Sequence, residues 1–418
     1  MTPPRSNRTR RCFLLFALVL SLAQSSARTW TDRQGKKIEA ALVAADDIEV
    51  VVRLKSGKIA TIPLIRLSDE DQDYAQNWVP GQEDEEKEEA KGEGGEGADD
   101  DGLNFDDPWP DKVKFDGDLL ISTIEEDKEK SRFIYESANF RFVVDVRLSQ
   151  SVVKGFALMF EATQLYCRTL PLGIAGGERT DGKYQVVLFE TKEDYIKAGG
   201  PPSSAGVFMS GPGRNMVMVP LTSLGVRPVG SGYMLDRDKT NGTLIHEITH
   251  QLTPGCYYVS GARGWFSEGI AEYLTATRYR NGSFTVRSIF SDAKDYATSY
   301  GRDNERGRAL GQSITAPPLE KFIMMSYSRF AGQSANFNYG FGLVLTTYFL
   351  HMDGEGDGAR MKSFLKGLHA GKSDQEALDI LLDGRTFKEL EDEIVKAWGK
   401  KGIDISFTGS VGNAGDDY

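Results

Sequence analysis

The sequence predicts an α+β protein, a small β module followed by a larger mixed domain. Three observations predict it. Residues 28–79 alternate apolar and polar side chains between glycine turns, the period of short strands. Residues 80–115 are dominated by Glu, Asp and Gly, which cannot build a core and so separate the module from the domain. Residues 116–405 open with strand-like runs and close with helix-period runs. With 418 residues and 40% hydrophobic content, the chain has material for two or three domains. The net charge of −11 is local: residues 81–107 hold thirteen Asp and Glu against two Lys, so the rest is close to neutral. No basic stripe interleaved with aromatics occurs, which argues against a nucleic-acid partner.

In chain order, Arg5, Arg8, Arg10 and Arg11 precede an apolar run of eleven residues, Phe13 to Ala23, and Ser25-Ser26-Ala27 offers small residues for cleavage. Residues 1–27 therefore read as a secretory signal, too short to span a bilayer comfortably, with an uncleaved anchor as the alternative. The expected location is secreted, periplasmic or cell-envelope, with no stable membrane span after cleavage. Cys12 sits ahead of the apolar run, which argues against a lipoprotein. Cys167 and Cys256 then remain, and spacing leaves open whether they pair or stay thiols.

In residues 28–79, Lys36–Ala44, Ile48–Leu54 and Ile59–Pro63 alternate like strands, with turns at Gly35 and Ser56-Gly57. Leu67-Ser-Asp-Glu-Asp71 starts a short helix with a serine cap and early acids. The Arg28/Trp30 opening, the Gly57-Lys58 turn and the stretch Leu64 to Tyr74 resemble the SLA-homology domain (type one). The resemblance implies a small SH3-like β-barrel that binds short Asn-Pro-Phe peptides, and so a peptide-motif partner for this module. Residues 80–115 read as an acidic linker kept extended by like-charge repulsion.

The large domain spans 116–405, with 406–418 as a flexible tail. Ser131 to Val146 reads as two strands around Ser137-Ala-Asn139. Ser149 to Leu170 has the spacing of a long helix, with Val152, Val153, Phe156, Phe160, Ala162 and Leu165 on one face. Tyr184–Phe189 is a strand and Lys192–Ala198 a short helix. Gly206–Ser210 and Asn215–Leu221 look like paired strands joined by Gly211-Pro-Gly213. Residues 290–335 are polar and irregular, a lid or cleft wall. Asn338 to Leu350 is an apolar helix, and Arg360–His369, Asp374–Leu382 and Lys388–Trp398 complete a helical end.

Chemistry concentrates in Thr243-Leu-Ile-His-Glu-Ile-Thr-His250, an H-E-x-x-H pattern. On a helix, His246 and His250 fall one turn apart on one face, a spacing at which two imidazoles hold one Zn²⁺ while Glu247 reaches a water on the metal. Asp238, Thr240 and Asn241 are start signals, Leu244, Ile245, Ile248 and Leu252 form an apolar face, and Pro254-Gly255 is the stop. The chain has four histidines in all, and two fall here. His351 and His369 lack ligand-type neighbours in sequence. A second helical pattern, Gly264-Trp-Phe-Ser-Glu-Gly-Ile-Ala-Glu-Tyr273, places Glu268 beyond His250 and Glu272 one turn further. A return loop would bring Glu268 to the metal, and two His with one Glu leave a fourth position for water.

His246-Glu247-x-x-His250 followed by Trp265-x-x-Glu268-Gly269-x-Ala271-Glu272-Tyr273 resembles the gluzincin metallopeptidases, the thermolysin and aminopeptidase N superfamily. The resemblance implies a zincin-like domain with His246, His250 and Glu268 as zinc ligands. It implies Glu247 as general base and Glu272 as hydrogen-bond partner of a ligand histidine. It also implies that an edge strand above the zinc helix binds extended peptide, for which Asn215–Pro220 is the candidate. A tyrosine near the head of the later apolar helix stabilises the oxyanion in that family, and Tyr339 is the nearest match, with Phe337 in an alternative register. The expected function is an exported zinc metallopeptidase acting on a peptide or protein substrate. Two alternatives stay open: a non-catalytic, envelope-associated protein that binds peptides on the same scaffold, and a zinc hydrolase of a non-peptide bond.

Overall fold

The computed structural model describes residues 28–75, apart from 34, 46–48, 56–57, 64–65, 69–70 and 73. It also describes residues 103–408, apart from 203, 211–214, 237–241, 259–262 and 301–306. The signal-like start, most of the acidic stretch, the Ser56-Gly57 and Gly211–Gly213 turns, the start signals Asp238, Thr240 and Asn241, and the tail beyond 408 lie outside the described residues. The chain divides into two compact units, one holding the strands up to residue 63 and the other holding residues 103–408.

The first unit is an antiparallel meander of β1 (Arg28–Thr31), β2 (Lys37–Ala45), β3 (Glu49–Leu54) and β4 (Ile59–Pro63). Trp30, Ala40, Leu42, Val50 and Val52 are buried, each strand giving every second residue to one face. The Trp30 indole donates to the Ala40 carbonyl at 3.0 Å. Asp71, itself buried, accepts from the Thr31 amide at 2.6 Å and from the Arg28 guanidinium at 2.8 Å, tying the end of the module back to its first strand.

The expected SH3-like β-barrel is not formed. The sheet order β1-β2-β3-β4 leaves β1 and β4 as separate edges, with no pairing between them among the described residues. Closure needs enough tilted strands to carry the sheet round to itself. Here Pro63, which has no N–H to donate, ends β4. The chain then meets the end of β1 through the isolated bridge Asp32–Leu67 and a few hydrogen bonds, among them the Ser68 amide to the Thr31 carbonyl at 2.8 Å, and not through a strand ladder.

The second unit is a mixed α+β fold around a six-stranded sheet of order β10-β11-β9-β8-β7-β6. Its strands are β6 (Ser122–Asp127), β7 (Arg132–Glu136), β8 (Phe140–Val144), β9 (Tyr184–Phe189), β10 (Val207–Met209) and β11 (Met216–Pro220). Strands β8, β9 and β11 run parallel, while β10 pairs antiparallel with β11 at the edge. Asn215–Pro220 is therefore not the edge strand the sequence suggested: β11 is flanked on both sides, and the short β10 covers it. Helix α1 (Gln150–Thr169) connects β8 to β9 and drives Phe156 and Phe160 into Phe140 and Phe142, with ring centroids 5.2–5.3 Å apart. These edge-to-face contacts are what the apolar face of α1 was spaced to make.

Acidic composition made residues 103–115 look like the end of a linker, but they pack onto this unit. Lys112–Lys114 forms β5, paired with Ser283–Thr285. Val113 is buried, and the Trp109 indole donates to the Asp357 carbonyl at 3.2 Å. Four apolar residues of this acidic stretch, Phe105, Trp109, Val113 and Phe115, pack in or against the core and suffice when a partner strand is already in place. The stretch 290–335 is also more regular than its polarity implies, since Ile289–Thr298 is a helix that buries Ile289, Ala293 and Ala297.

Three helices frame the functional region: α2 (Gly242–Leu252), α3 (Arg263–Ala276) and α4 (Ala335–His351). From Gly264 to Leu274, α3 is buried on every side. Gly269 explains how α4 comes so near it. A Cβ there would lie 2.7 Å from the Gly342 carbonyl oxygen and 2.3 Å from Thr346 Oγ1, so only hydrogen fits between the two backbones. Cys167 and Cys256 are both free thiols. No helix among the described residues is long and apolar enough to cross a membrane.

Candidate metal centre

Helix α2 turns Leu244, Ile245, Ile248 and Leu252 into the core, which leaves His246 and His250 together on another face. The chain then stops at Pro254, makes a short 3-10 turn (Gly255–Tyr257), and returns in α3 with Glu268. His246 Nε2 lies 2.9 Å from Glu268 Oε2, His250 Nε2 lies 3.3 Å from the same oxygen, and the two nitrogens are 3.1 Å apart. His246, His250 and Glu268 form the one cluster of potential metal ligands among the described residues, with ligand atoms all within 4.8 Å of one another.

The donor set fits a single zinc ion. Ligand bonds of about 2.0–2.1 Å in a tetrahedron put neighbouring donors about 3.3 Å apart, close to the three separations found. The charge also fits. Burial acts to lower the His246 imidazole, but the Glu268 and Glu272 carboxylates outweigh it and push it up to about 10. Burial acts to raise Glu268, but His250 and His246 hold it well below the usual carboxylate range. The cluster is thus built to surround positive charge in a place withheld from water.

Each ligand is oriented by a further contact. His246 Nδ1 donates to Glu272 Oε1 at 2.9 Å, which turns Nε2 towards the centre. Glu272 is in turn gripped by Arg308, whose Nε and Nη2 donate to its two oxygens at 2.7 and 2.5 Å. Against burial, His246 and Arg308 keep Glu272 below its ordinary value. The Tyr258 hydroxyl donates to the His250 carbonyl at 2.7 Å and lies 3.3 Å from His250 Nδ1. The Tyr327 hydroxyl donates to Glu268 Oε1 at 2.8 Å.

Glu247 points to the edge strand, where the Phe208 amide of β10 donates to its Oε2 at 2.8 Å. Burial pushes its carboxyl above the usual range, against the pull of the two imidazoles and this amide. Tyr339 stacks its ring on His246, centroids 6.0 Å apart at 19°, with the Arg308 guanidinium 4.9 Å from its ring centroid. Burial and the Glu268 charge push its hydroxyl far above its ordinary value, so it stays protonated.

The structure thus brings His246, His250 and Glu268 to one point and sets Glu247, Glu272 and Tyr339 around them. It keeps His351 and His369 away. His351 stands among Trp109, Phe290 and Tyr273, at centroid distances of 4.6, 5.4 and 5.8 Å, and its Nε2 meets the Tyr273 hydroxyl at 2.9 Å. His369 Nδ1 lies 3.7 Å from Cys256 Sγ. Sequence reasoning missed Tyr258, Tyr327, Arg308 and Phe208. Tyr258, eight residues after His250, was within reach of a local argument. Arg308 and Tyr327 lie in the polar stretch that carries no periodic signal.

This arrangement, a buried His-His-Glu cluster with H-E-x-x-H spacing on two packed helices, is consistent with a zincin-type metallopeptidase active site. In comparison with known proteins, no family model and no curated sequence matches the chain.

Proposed function

We propose that this chain is an exported zinc-dependent metallopeptidase that hydrolyses peptide bonds. One observation carries the reading: His246 Nε2, His250 Nε2 and Glu268 Oε2 converge at the spacing of one ion, with Glu247 on the same helix as the two histidines. Zinc, when bound there, lowers the pKa of a coordinated water to about 7 and polarises a scissile carbonyl.

The chain's own residues supply the rest. Glu247 takes the proton of the attacking water and hands it to the leaving amine. Its burial favours that role, because a carboxyl with a raised pKa holds a proton long enough to deliver it. Glu272, clamped by Arg308, accepts from His246 Nδ1 and keeps the ligand nitrogen aimed inward. Tyr339 donates to the carbonyl oxygen as negative charge gathers there. The outer edge of β10, which no other strand pairs among the described residues, lies beside Glu247 and offers main-chain groups to an extended substrate. Export rests on the arginines and apolar run of the first 27 residues.

The test is elemental analysis of the wild type beside His246→Ala, followed by a peptide-cleavage screen with and without chelator. The expected result is one zinc per wild-type chain, none in the variant, and cleavage that chelation abolishes. A folded wild type that takes up no zinc would remove the reading. Zinc without cleavage of any peptide would favour a binding scaffold or a non-peptide substrate.

A further inference from the structure

The two oxygens of Glu268 are treated differently. Oε2 faces both ligand nitrogens, at 2.9 and 3.3 Å, whereas Oε1 accepts the Tyr327 hydroxyl at 2.8 Å. A free carboxylate can bind a cation through one oxygen or both, and the choice sets how many positions remain for other ligands. Here a hydroxyl stands against the second oxygen.

Tyr327 is poorly placed to serve as packing. It opens a helix of four residues (Tyr327–Phe330), and the residue is 48% exposed. Exposure of that size leaves little ring burial to stabilise the fold. Its hydroxyl lies instead on a fully buried carboxylate, with the Tyr339 side chain as a second polar neighbour.

Resting on the zinc-site reading above, we infer that Tyr327 is a positioning residue for the metal: its hydroxyl occupies Glu268 Oε1 and leaves Oε2 as the single oxygen ligand. The consequence is a three-donor site with an accessible fourth position, where a two-oxygen Glu268 would crowd it. Tyr327 shapes the centre through Glu268, without touching the ion.

The test is Tyr327→Phe, which removes one oxygen atom. Zinc affinity of the full chain is measured by competition with a chromophoric chelator, and the melting temperature of the metal-free protein is measured beside it. A loosening of about tenfold or more in zinc Kd is expected, the usual cost of losing a group that orients a ligand. The metal-free melting temperature should stay unchanged. The cobalt-substituted variant should also absorb more weakly in the visible, as coordination rises when Glu268 is freed to use both oxygens. A Kd within twofold of wild type overturns the inference. So does a loosened Kd accompanied by a lower metal-free melting temperature, because that marks a structural role. If the wild type itself binds no zinc, the site reading fails and takes this inference with it, an outcome distinct from a wild type that binds and a variant that binds equally well.

Discussion

His246 and His351 are both imidazoles largely withdrawn from water, and burial acts on each in the same direction, yet they end at opposite extremes. His246, set between the carboxylates of Glu268 and Glu272, is pushed up to about 10. His351, among aromatic rings with the Tyr273 hydroxyl as its polar contact, is pushed down to about 4 by burial alone. Consecutive residues of α3 serve the two: Glu272 reaches one histidine and Tyr273 the other. The difference shows that burial does not decide what a histidine can do. The partner does, and a carboxylate makes a place for a cation where an aromatic wall makes a place for neutrality.

Substitutions around the two histidines test this role of the partner. The largest effect should come from Glu268→Ala, which removes a ligand and the charge that favours a cation. Zinc content, measured by elemental analysis after dialysis, should fall from one per chain to near zero, and retention would move the third ligand elsewhere. Next comes Glu247→Gln, which leaves the ligands intact. It should keep its zinc while peptide cleavage drops by about 10²–10⁴-fold, the usual worth of a general base; full activity would end the proposed mechanism.

Arg308→Met probes the layer behind His246. It takes away the cation that holds Glu272, so zinc should loosen about 10-fold or more in a chelator competition. An unchanged affinity would show that Glu272 needs no support. The smallest effect belongs to His351 and appears as acid sensitivity. Above pH 6.5 its imidazole is neutral folded and unfolded, and its contribution is complete. As pH falls from 6.5 towards 4, the unfolded chain takes a proton that the fold refuses, and stability drops by up to about 3 kcal/mol. Denaturant melts at pH 7 and pH 4.5 should show this loss, and His351→Phe should reduce it. An equal loss in the variant would place the acid sensitivity elsewhere.

Much of the site was legible because its signals are local. His246 and His250 share a helix turn, and Glu268 and Glu272 share the next helix, so two periodicities and one return loop nearly assemble the centre. The long helix Gln150–Thr169 and the strand Tyr184–Phe189 were legible for the same reason: their apolar spacing matches the face they bury. What escaped depended on distant pairing. β5 exists because Ser283–Thr285 offers it a ladder, some 170 residues on, and acidic composition hid it. Arg308 and Tyr327 are single polar residues in a stretch whose role is set by what they reach. The barrel failed for a related reason. Alternation in residues 28–79 predicts strands, but closure depends on a pairing between the first and last strand that no local pattern encodes.

Gly269 bears on all of this while donating nothing to the centre. It sits directly after Glu268, and its missing side chain sets the spacing between α3 and α4. A methyl group there would have to push the two backbones apart by something on the order of 1 Å to reach ordinary contact. Metal–ligand distances tolerate only about 0.2 Å. The seat of α3, and with it the position of Glu268 opposite the two histidines, therefore depends on a contact made outside the metal centre. A survey of substitutions that alters metal preference should find Gly269 among its hits, although no atom of that residue ever meets the metal.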